Sequence, residues 1–342
     1  MNRYWTLAAT PPDRLPVVGD FVLREAPIPK PGPGQALTRT LYISLDPYQW
    51  GYRRRGLEKP GEVAHARTVS QVVESRIDGF AAGDFVFHTG GWSEYALMGE
   101  GVARPAYMIP RRLDPAQGRI SLAVGVLGML GLTAWAGMTL MAAPKAGETV
   151  VVSAASGGVG QIAGQLARIA GARVVGIAGA PAKCRYVVEE LGFDACVSHL
   201  APGFPADLNA ACPDGIDVYF ENVGGAVFDA VLPRLNSGAR MTICGLIATS
   251  GEAGDPRAAL MARGEAIFRE RNVAVRDLFV GDFIDRHDEM LAYVGPLVAS
   301  GRLKYREDIR QGLETIPACF AEMLTGANFG KMLVQVGDDP TG

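Results

Sequence analysis

Up to about residue 120 the apolar positions come in short runs of period two. Thr68–Ser75 (TVSQVVES) alternates like a half-buried strand, and Phe85–His88 reads as another after a turn at 80–84. Strand-rich stretches at 20–25 and 35–45 are separated by Pro27, Pro29, Pro31, Gly32, Pro33 and Gly34. Short strands with this punctuation predict a small β-barrel. From about residue 121 the pattern changes. Continuous apolar strands at Thr149–Ser153, 173–177, 195–197, 217–221 and 240–244 alternate with helical stretches. Repeated βα units predict a doubly wound parallel sheet, hence an α/β protein. At the tail, 303–306 and 331–336 read as strands around a helix over Ile316–Leu324. The expected organisation is a first domain over 1–122, a second over 123–302, and a return to the first over 303–342.

Residues 120–144 carry no charge, a length that would span a bilayer. Gly125, Gly128, Gly131 and Gly137 argue against a single helix there, since each costs helix stability. The segment around Gly128 and Gly131 reads instead as a break between two short buried helices.

The chain has 342 residues, 48% of them hydrophobic and 20% charged, which is enough apolar content for a core and excludes wholesale disorder. A net charge of −3 offers nothing that selects nucleic acid or an anionic membrane as partner. The five cysteines (Cys184, Cys196, Cys212, Cys244, Cys319) are odd in number and irregularly spaced, and no secretory h-region follows Met1. These features point to a reducing, cytoplasmic setting.

The most informative segment is the turn after the strand at Thr149–Ser153. Ala155, Gly157 and Gly160 form A-x-G-x-x-G, a variant of the dinucleotide fingerprint, with Ser156, Gly158 and Val159 between them. Gly157 permits the sharp turn, Gly158 leaves room for a pyrophosphate, and Gly160 permits close helix–strand packing. A structural turn would use the same glycines; the preceding strand, following helix and second strand favour the nucleotide. That second strand ends in Gly176-Ile177-Ala178-Gly179 without the acid that binds a ribose 2′-hydroxyl, and Lys183 and Arg185 follow. This favours NADP(H) over NAD(H). Later strand ends carry Asn222-Val223-Gly224-Gly225 and Cys244-Gly245-Leu246, turns suited to the same cofactor. No cysteine precedes Cys184, so the first domain cannot supply thiolates to a catalytic zinc, and His65 and His88 are too few to do so.

These features, with several landmarks, make the chain resemble the zinc-free medium-chain dehydrogenases/reductases of the leukotriene B4 12-hydroxydehydrogenase / prostaglandin reductase / alkenal double-bond reductase branch. The landmarks include Tyr42-Ile43-Ser44-Leu45-Asp46-Pro47-Tyr48, Gly128-Met129-Leu130-Gly131-Leu132-Thr133, the turn at 154–160, Glu221-Asn222-Val223-Gly224-Gly225 and Asn328-Phe329-Gly330-Lys331. The resemblance implies a GroES-like barrel that carries substrate and catalytic residues, a Rossmann domain for NADP(H), and a homodimer. It further implies cofactor contacts from Thr133, Phe279, Val280 and Asn328, and from His199, which stands where relatives commonly have a tyrosine.

Hydride addition without a metal requires an acceptor that delocalises charge by itself, which a conjugated enone or enal does. A donor must then meet the enolate oxygen, and a proton must reach the α-carbon. Relatives usually place a tyrosine in a Cys-Gly-x-Ile-Ser-x-Tyr-Asn segment for this task. Here Ser250 and Gly251 stand at the Tyr-Asn positions. Tyr48 is therefore the first candidate donor and Ser250 the second. Trp50, Tyr52, Trp92 and Tyr95, with Tyr48, suggest an aromatic-walled substrate pocket. NADPH-dependent quinone reduction is the alternative chemistry. A cofactor-binding protein without turnover, a sensor or structural protein, is the alternative of another class.

Overall fold

The strands of the opening region are β1 (Asn2–Leu7), β2 (Phe21–Ala26), β3 (Gln35–Ser44), β4 (Thr68–Ser75), β5 (Phe85–His88), β6 (Tyr95–Gly99) and β7 (Arg111–Leu113), with α1 (Tyr48–Arg54) inserted after β3. The structure is a computed structural model that describes residues 1–102 and 108–341. Then come α2 (Met129–Trp135), β8 (Thr149–Ser153), α3 (Gly160–Ile169), β9 (Arg173–Ala178), α4 (Pro181–Glu189), β10 (Ala195–Ser198) and α5 (Phe204–Ala211). The parallel sheet is completed by β11 (Ile216–Glu221), α6 (Gly225–Val231), β12 (Leu235–Ile243), α7 (Pro256–Glu270), β13 (Ala274–Asp277) and α8 (His287–Ala299). The chain closes with β14 (Glu307–Gln311), α9 (Ile316–Leu324) and β15 (Lys331–Gln335).

Two compact units result, one of residues 1–128 and 307–342, the other of 129–306. The expectation put the boundaries at 122/123 and 302/303. The first shifts because Ile120, Ala123 and Val124 bury their side chains with Leu41, Val69 and Leu333 of the first unit. The second shifts because 303–306 is not a strand. The amides of Lys304 and Arg306 donate to the side chains of Gln165 (2.8 Å) and Gln161 (2.9 Å) on α3, so they have no strand partner.

In the first unit β1 and β2 pair as an antiparallel ribbon. A seven-stranded sheet runs β14-β15-β3-β4-β5-β7, with β6 also on β3. The ten-residue β3 serves both: its opening half pairs with β6 and its closing residues, Tyr42 to Ser44, with β15. In the second unit all six strands are parallel, in the order β10-β9-β8-β11-β12-β13. Numbered within the unit this is 3-2-1-4-5-6, the Rossmann order, whose direction reverses between β8 and β11. The fold class is therefore α/β as expected. Its core is the apolar run of these strands: Val151, Val175, Ile177, Tyr219 and Met241 are buried with Phe228 and Val231 of α6.

The uncharged stretch at 120–144 is a 3₁₀ turn over Ile120–Val124, then α2, then a π-helical turn over Ala136–Ala142. The break falls at Gly128, where a Cβ would strike the carbonyl oxygen of Ala123. Among the described residues no helix is long and apolar enough to cross a membrane.

Candidate active site

In the second unit the turn after β8 is tight. Ala154 adopts a left-handed φ of 48°, a conformation rare for a residue with a Cβ. The Gly157 amide bonds back to the Ala154 carbonyl (2.9 Å), and the Ala155 amide reaches Ile177 of β9 (2.9 Å). A Cβ on Gly160 would collide with the Ala154 carbonyl, so glycine is required for α3 to start there. No side chain caps α3 at Val159, which leaves its first-turn N–H groups without a side-chain acceptor. Ala155, Ser156, Gly157, Gly158, Val159 and Gly160 thus form a backbone cradle at the end of β8, with the positive end of a ten-residue helix behind it. This fits a diphosphate.

Asn222 sits across the switch point, at the end of β11. Its backbone amide donates to Ser153 Oγ (2.7 Å) and its side-chain amide to the Ser153 carbonyl (2.7 Å). Behind it the buried Glu221 carboxylate accepts from Ser153 Oγ (2.8 Å), Tyr219 Oη (2.6 Å) and the Val223 amide (2.6 Å). Burial pushes the Glu221 pKa up, and these donors work against that. The amides of Cys244 and Gly245 donate to the Glu221 carbonyl, and that of Ile247 to the Asn222 carbonyl. Cys244, Gly245, Leu246 and Asn222 are thereby stitched together with Ser153. Sequence reasoning missed Ser153 and Glu221, because a buried carboxylate inside an apolar strand carries no local signal.

Lys183 and His199 come together at the ends of β9 and β10. The His199 amide bonds to Ala178 (3.0 Å), its ring lies over Gly179, and burial and then the Lys183 charge lower its pKa. Gly179 is where an NAD enzyme would begin to place its acid. Thr133 Oγ1 donates to Met129 O (2.6 Å) within α2. Phe279 is half exposed beyond β13, with Val280 opening the next 3₁₀ turn. Ser250 closes the 3₁₀ turn Ile247–Thr249 that follows Leu246.

In the first unit the landmark around Asp46 is a pinned corner. Ser44 Oγ donates to Asp46 Oδ2 (2.7 Å), Gln49 Oε1 accepts from the Asp46 amide (3.2 Å), and Gln49 Nε2 donates to the Ser44 carbonyl (3.0 Å). Asp46 Oδ1 also meets Arg67 (2.7 Å) and Lys331 Nζ (3.0 Å). All three charged groups are buried. Burial opposes the Asp46 charge, but Arg67 and Lys331 overcome it and hold the carboxyl below the usual range. Burial brings Lys331 down to about 8 against the pull of Asp46. This corner launches α1 with Tyr48 in its first turn. The Tyr48 hydroxyl lies 3.2 Å from His65 Nε2, and the Tyr48 ring packs edge-on to Tyr52 (5.1 Å between centroids). Asn328 precedes β15 and donates to the Gly330 carbonyl (2.7 Å).

The aromatic-walled pocket needs correction. Trp50 and Trp92 are fully buried core residues. Trp92, Phe21 and Phe320 enclose Arg53, whose guanidinium carbon is 4.3 Å from the Trp92 ring centre and which pairs with buried Glu58 (3.1 Å), and Trp50 packs against Phe320. The Trp50 indole N–H donates to the Arg14 carbonyl (2.7 Å). The reason is helical spacing: residues 48 and 52 share one face of α1, while 50 and 53 share the opposite one. Only Tyr52 stays beside Tyr48, partly exposed.

Both histidines have partners. His65 faces Tyr48, and His88 Nε2 sits 3.0 Å from Thr38 Oγ1 and 3.2 Å from Ser70 Oγ. Among the described residues no group of three or more His, Cys, Asp or Glu is arranged to hold a metal ion.

The chain matches two family models, "N-terminal domain of oxidoreductase" over residues 3–104 and "Zinc-binding dehydrogenase" over 158–294. It is 41% identical to the NADPH-dependent curcumin reductase of Escherichia coli (strain K12), covering 99% of this chain and 98% of the relative. It is 34% identical to the 2-alkenal reductase (NADP(+)-dependent) of Nicotiana tabacum, over 89% of this chain and 88% of the relative. The crystal structure of CurA in complex with NADPH from Vibrio vulnificus superposes with a TM-score of 0.87 at 38% identity, covering 98% of this chain and 100% of that one. With this full-length similarity, the Rossmann strand order and the glycine cradle at its switch point, the chain belongs to the medium-chain dehydrogenase/reductase superfamily, in its prostaglandin reductase / alkenal double-bond reductase branch.

Proposed function

We propose that this protein is an NADPH-dependent reductase of the conjugated C=C bond of α,β-unsaturated carbonyl compounds. The observation that carries the reading is full-length similarity to reductases named for curcumin and 2-alkenals, both conjugated carbonyl compounds. The diphosphate-sized cradle at 155–160 and the cationic side chain of Lys183 beyond β9 support NADP(H) as the cofactor. Bound NADPH supplies a hydride for the β-carbon. The chain's own residues have two tasks: to hydrogen-bond the carbonyl oxygen as it gains enolate charge, and to deliver a proton to the α-carbon. Tyr48 is the first choice for these tasks because its hydroxyl is held at a fixed place on α1 and its ring is only partly buried. Ser250 is the second, with a shorter and less acidic hydroxyl. Cofactor contacts from Thr133, Phe279, Val280 and Asn328, a homodimer and a cytoplasmic location complete the reading on the strength of the family resemblance. Sedimentation velocity tests the dimer.

NADPH oxidation with a panel of 2-alkenals, cyclic enones and aryl enones tests the activity, with the saturated carbonyl identified as product. Hydroquinone formation as the sole turnover, or tight NADPH binding with no turnover on any acceptor, overturns it. Tyr48→Phe is expected to lower kcat about 100-fold, the cost of losing one oxyanion donor, with the Kd of NADPH unchanged.

A further inference from the structure

We infer that His65 is a positioning residue for Tyr48: it holds the phenol oxygen in place and, with the buried cationic cluster behind it, stabilises the phenolate left when Tyr48 gives up its proton. The inference rests on the reading of Tyr48 as donor and assigns the group through which that acid is tuned.

The geometry lies within one unit. Tyr48 Oη and His65 Nε2 are 3.2 Å apart, and Tyr52 packs against both rings, at 5.1 Å and 6.3 Å between centroids. Arg67, fully buried, pairs with Asp46 (2.7 Å), and Tyr48 is among the groups that raise its pKa. Asp46 is in turn shared with Lys331. Two buried cations therefore face one buried carboxylate. Nearby, Arg53 pairs with Glu58, and the buried Glu307 side chain interacts with both the exposed Arg119 and Lys331. A phenolate at Tyr48 would add a favourable interaction with the buried Arg67 charge. Burial, and then the charges of Arg53 and Arg67, bring His65 down to about 4, so its ring is neutral at pH 7. A neutral imidazole carries a single N–H. With that hydrogen on Nε2, His65 donates to the phenol oxygen and leaves the Tyr48 O–H for the substrate.

The proton step balances as follows. After hydride addition the Tyr48 O–H bond breaks and a C–H bond forms at the α-carbon of the enolate. The phenolate stays beside His65, stabilised by the Arg67 charge, and regains a proton from water. The alkene has then gained one hydride and one proton, and the nicotinamide is oxidised.

The test compares His65→Leu, which cannot donate, with His65→Gln, whose side-chain amide can. The first readout is the ultraviolet titration of the Tyr48 phenolate in cofactor-free protein, taken as the difference from the same protein carrying Tyr48→Phe. Losing a hydrogen bond to a charged oxygen is expected to move this titration upward by about one pH unit in His65→Leu. His65→Gln is expected to stay near wild type. In turnover, His65→Leu lowers kcat about tenfold without changing the Kd of NADPH, and shifts the alkaline limb of kcat in step with the titration. Adding His65→Leu to Tyr48→Phe costs nothing further. An unmoved phenolate titration, or an equal loss of kcat in the Tyr48→Phe background, overturns the inference. Failure of the wild type to reduce any conjugated carbonyl overturns instead the proposed function, and the titration still decides the role of His65.

Discussion

At the scale of single residues, the polar groups inside the first unit do different work from the polar groups at its surface. His88 shows this most simply. It is fully buried on β5 between Thr38 and Ser70, and burial lowers its pKa to about 4 from the ordinary 6.5. The unfolded chain then binds a proton that the folded chain refuses between those two pH values. Stability is complete above about pH 6.5 and falls as the pH drops toward 4, by about 3 kcal/mol from this group. His65 adds a slope of the same sign. Urea denaturation from pH 7 to pH 4 should show the decline, and His88→Gln should flatten it; an identical slope in the variant would refute the assignment. Nothing around position 88 in the sequence distinguishes a buried histidine from a surface one, since its two partners come from β3 and β4.

At the scale of elements, period and glycine placement decide most of what is seen. The fingerprint turn forms because Gly160 lets α3 approach the Ala154 carbonyl. Gly160→Ala puts a methyl group into that oxygen, a backbone atom that cannot swing aside. The helix must shift, at a cost of about 1–3 kcal/mol, and its N–H groups leave their places. NADPH affinity measured by fluorescence quenching should fall at least tenfold (about 1.4 kcal/mol), while secondary structure by circular dichroism stays intact. The helix α1 shows where element-level reading falls short. Aromatic residues at 48, 50, 52 and 92 looked equivalent as a set, yet the two faces of α1 send Tyr48 and Tyr52 one way and Trp50 the other. Likewise 303–306 has the composition of a strand, but the two glutamines of α3 claim its amides, and pairing starts only at Glu307.

At the scale of the whole molecule, the first unit is not continuous in sequence. The strand β15 lies between β14 and β3, and Lys331 at its start reaches back to Asp46. A chain ending at Arg306 would leave the closing residues of β3 paired only with β4 and Arg67 as the lone charged partner of Asp46. In that truncated protein, limited proteolysis should cut rapidly within 1–128 and spare 129–306, whose parallel sheet is complete without the tail. Equal protection of both halves would show that the return segment is dispensable. The landmark Asn328-Phe329-Gly330-Lys331 and the landmark ending in Asp46-Pro47-Tyr48 thus have a shared physical reason: they are the two ends of one buried ion pair.

By itself the sequence determined the α/β class, the alternating elements of the parallel sheet, the glycine turn after β8 and the absence of an acid after β9. These are local signals, written in period, in missing Cβ atoms and in residue type at a fixed spacing. Only the tertiary structure decided which aromatic side chains are core, that His65 faces Tyr48, that Asp46 is shared by Arg67 and Lys331, and that Glu221 braces Ser153. Those facts depend on side chains meeting across tens to hundreds of residues. A buried charge or a hydrogen bond is defined by the partner it finds, and the chain's order does not state that partner.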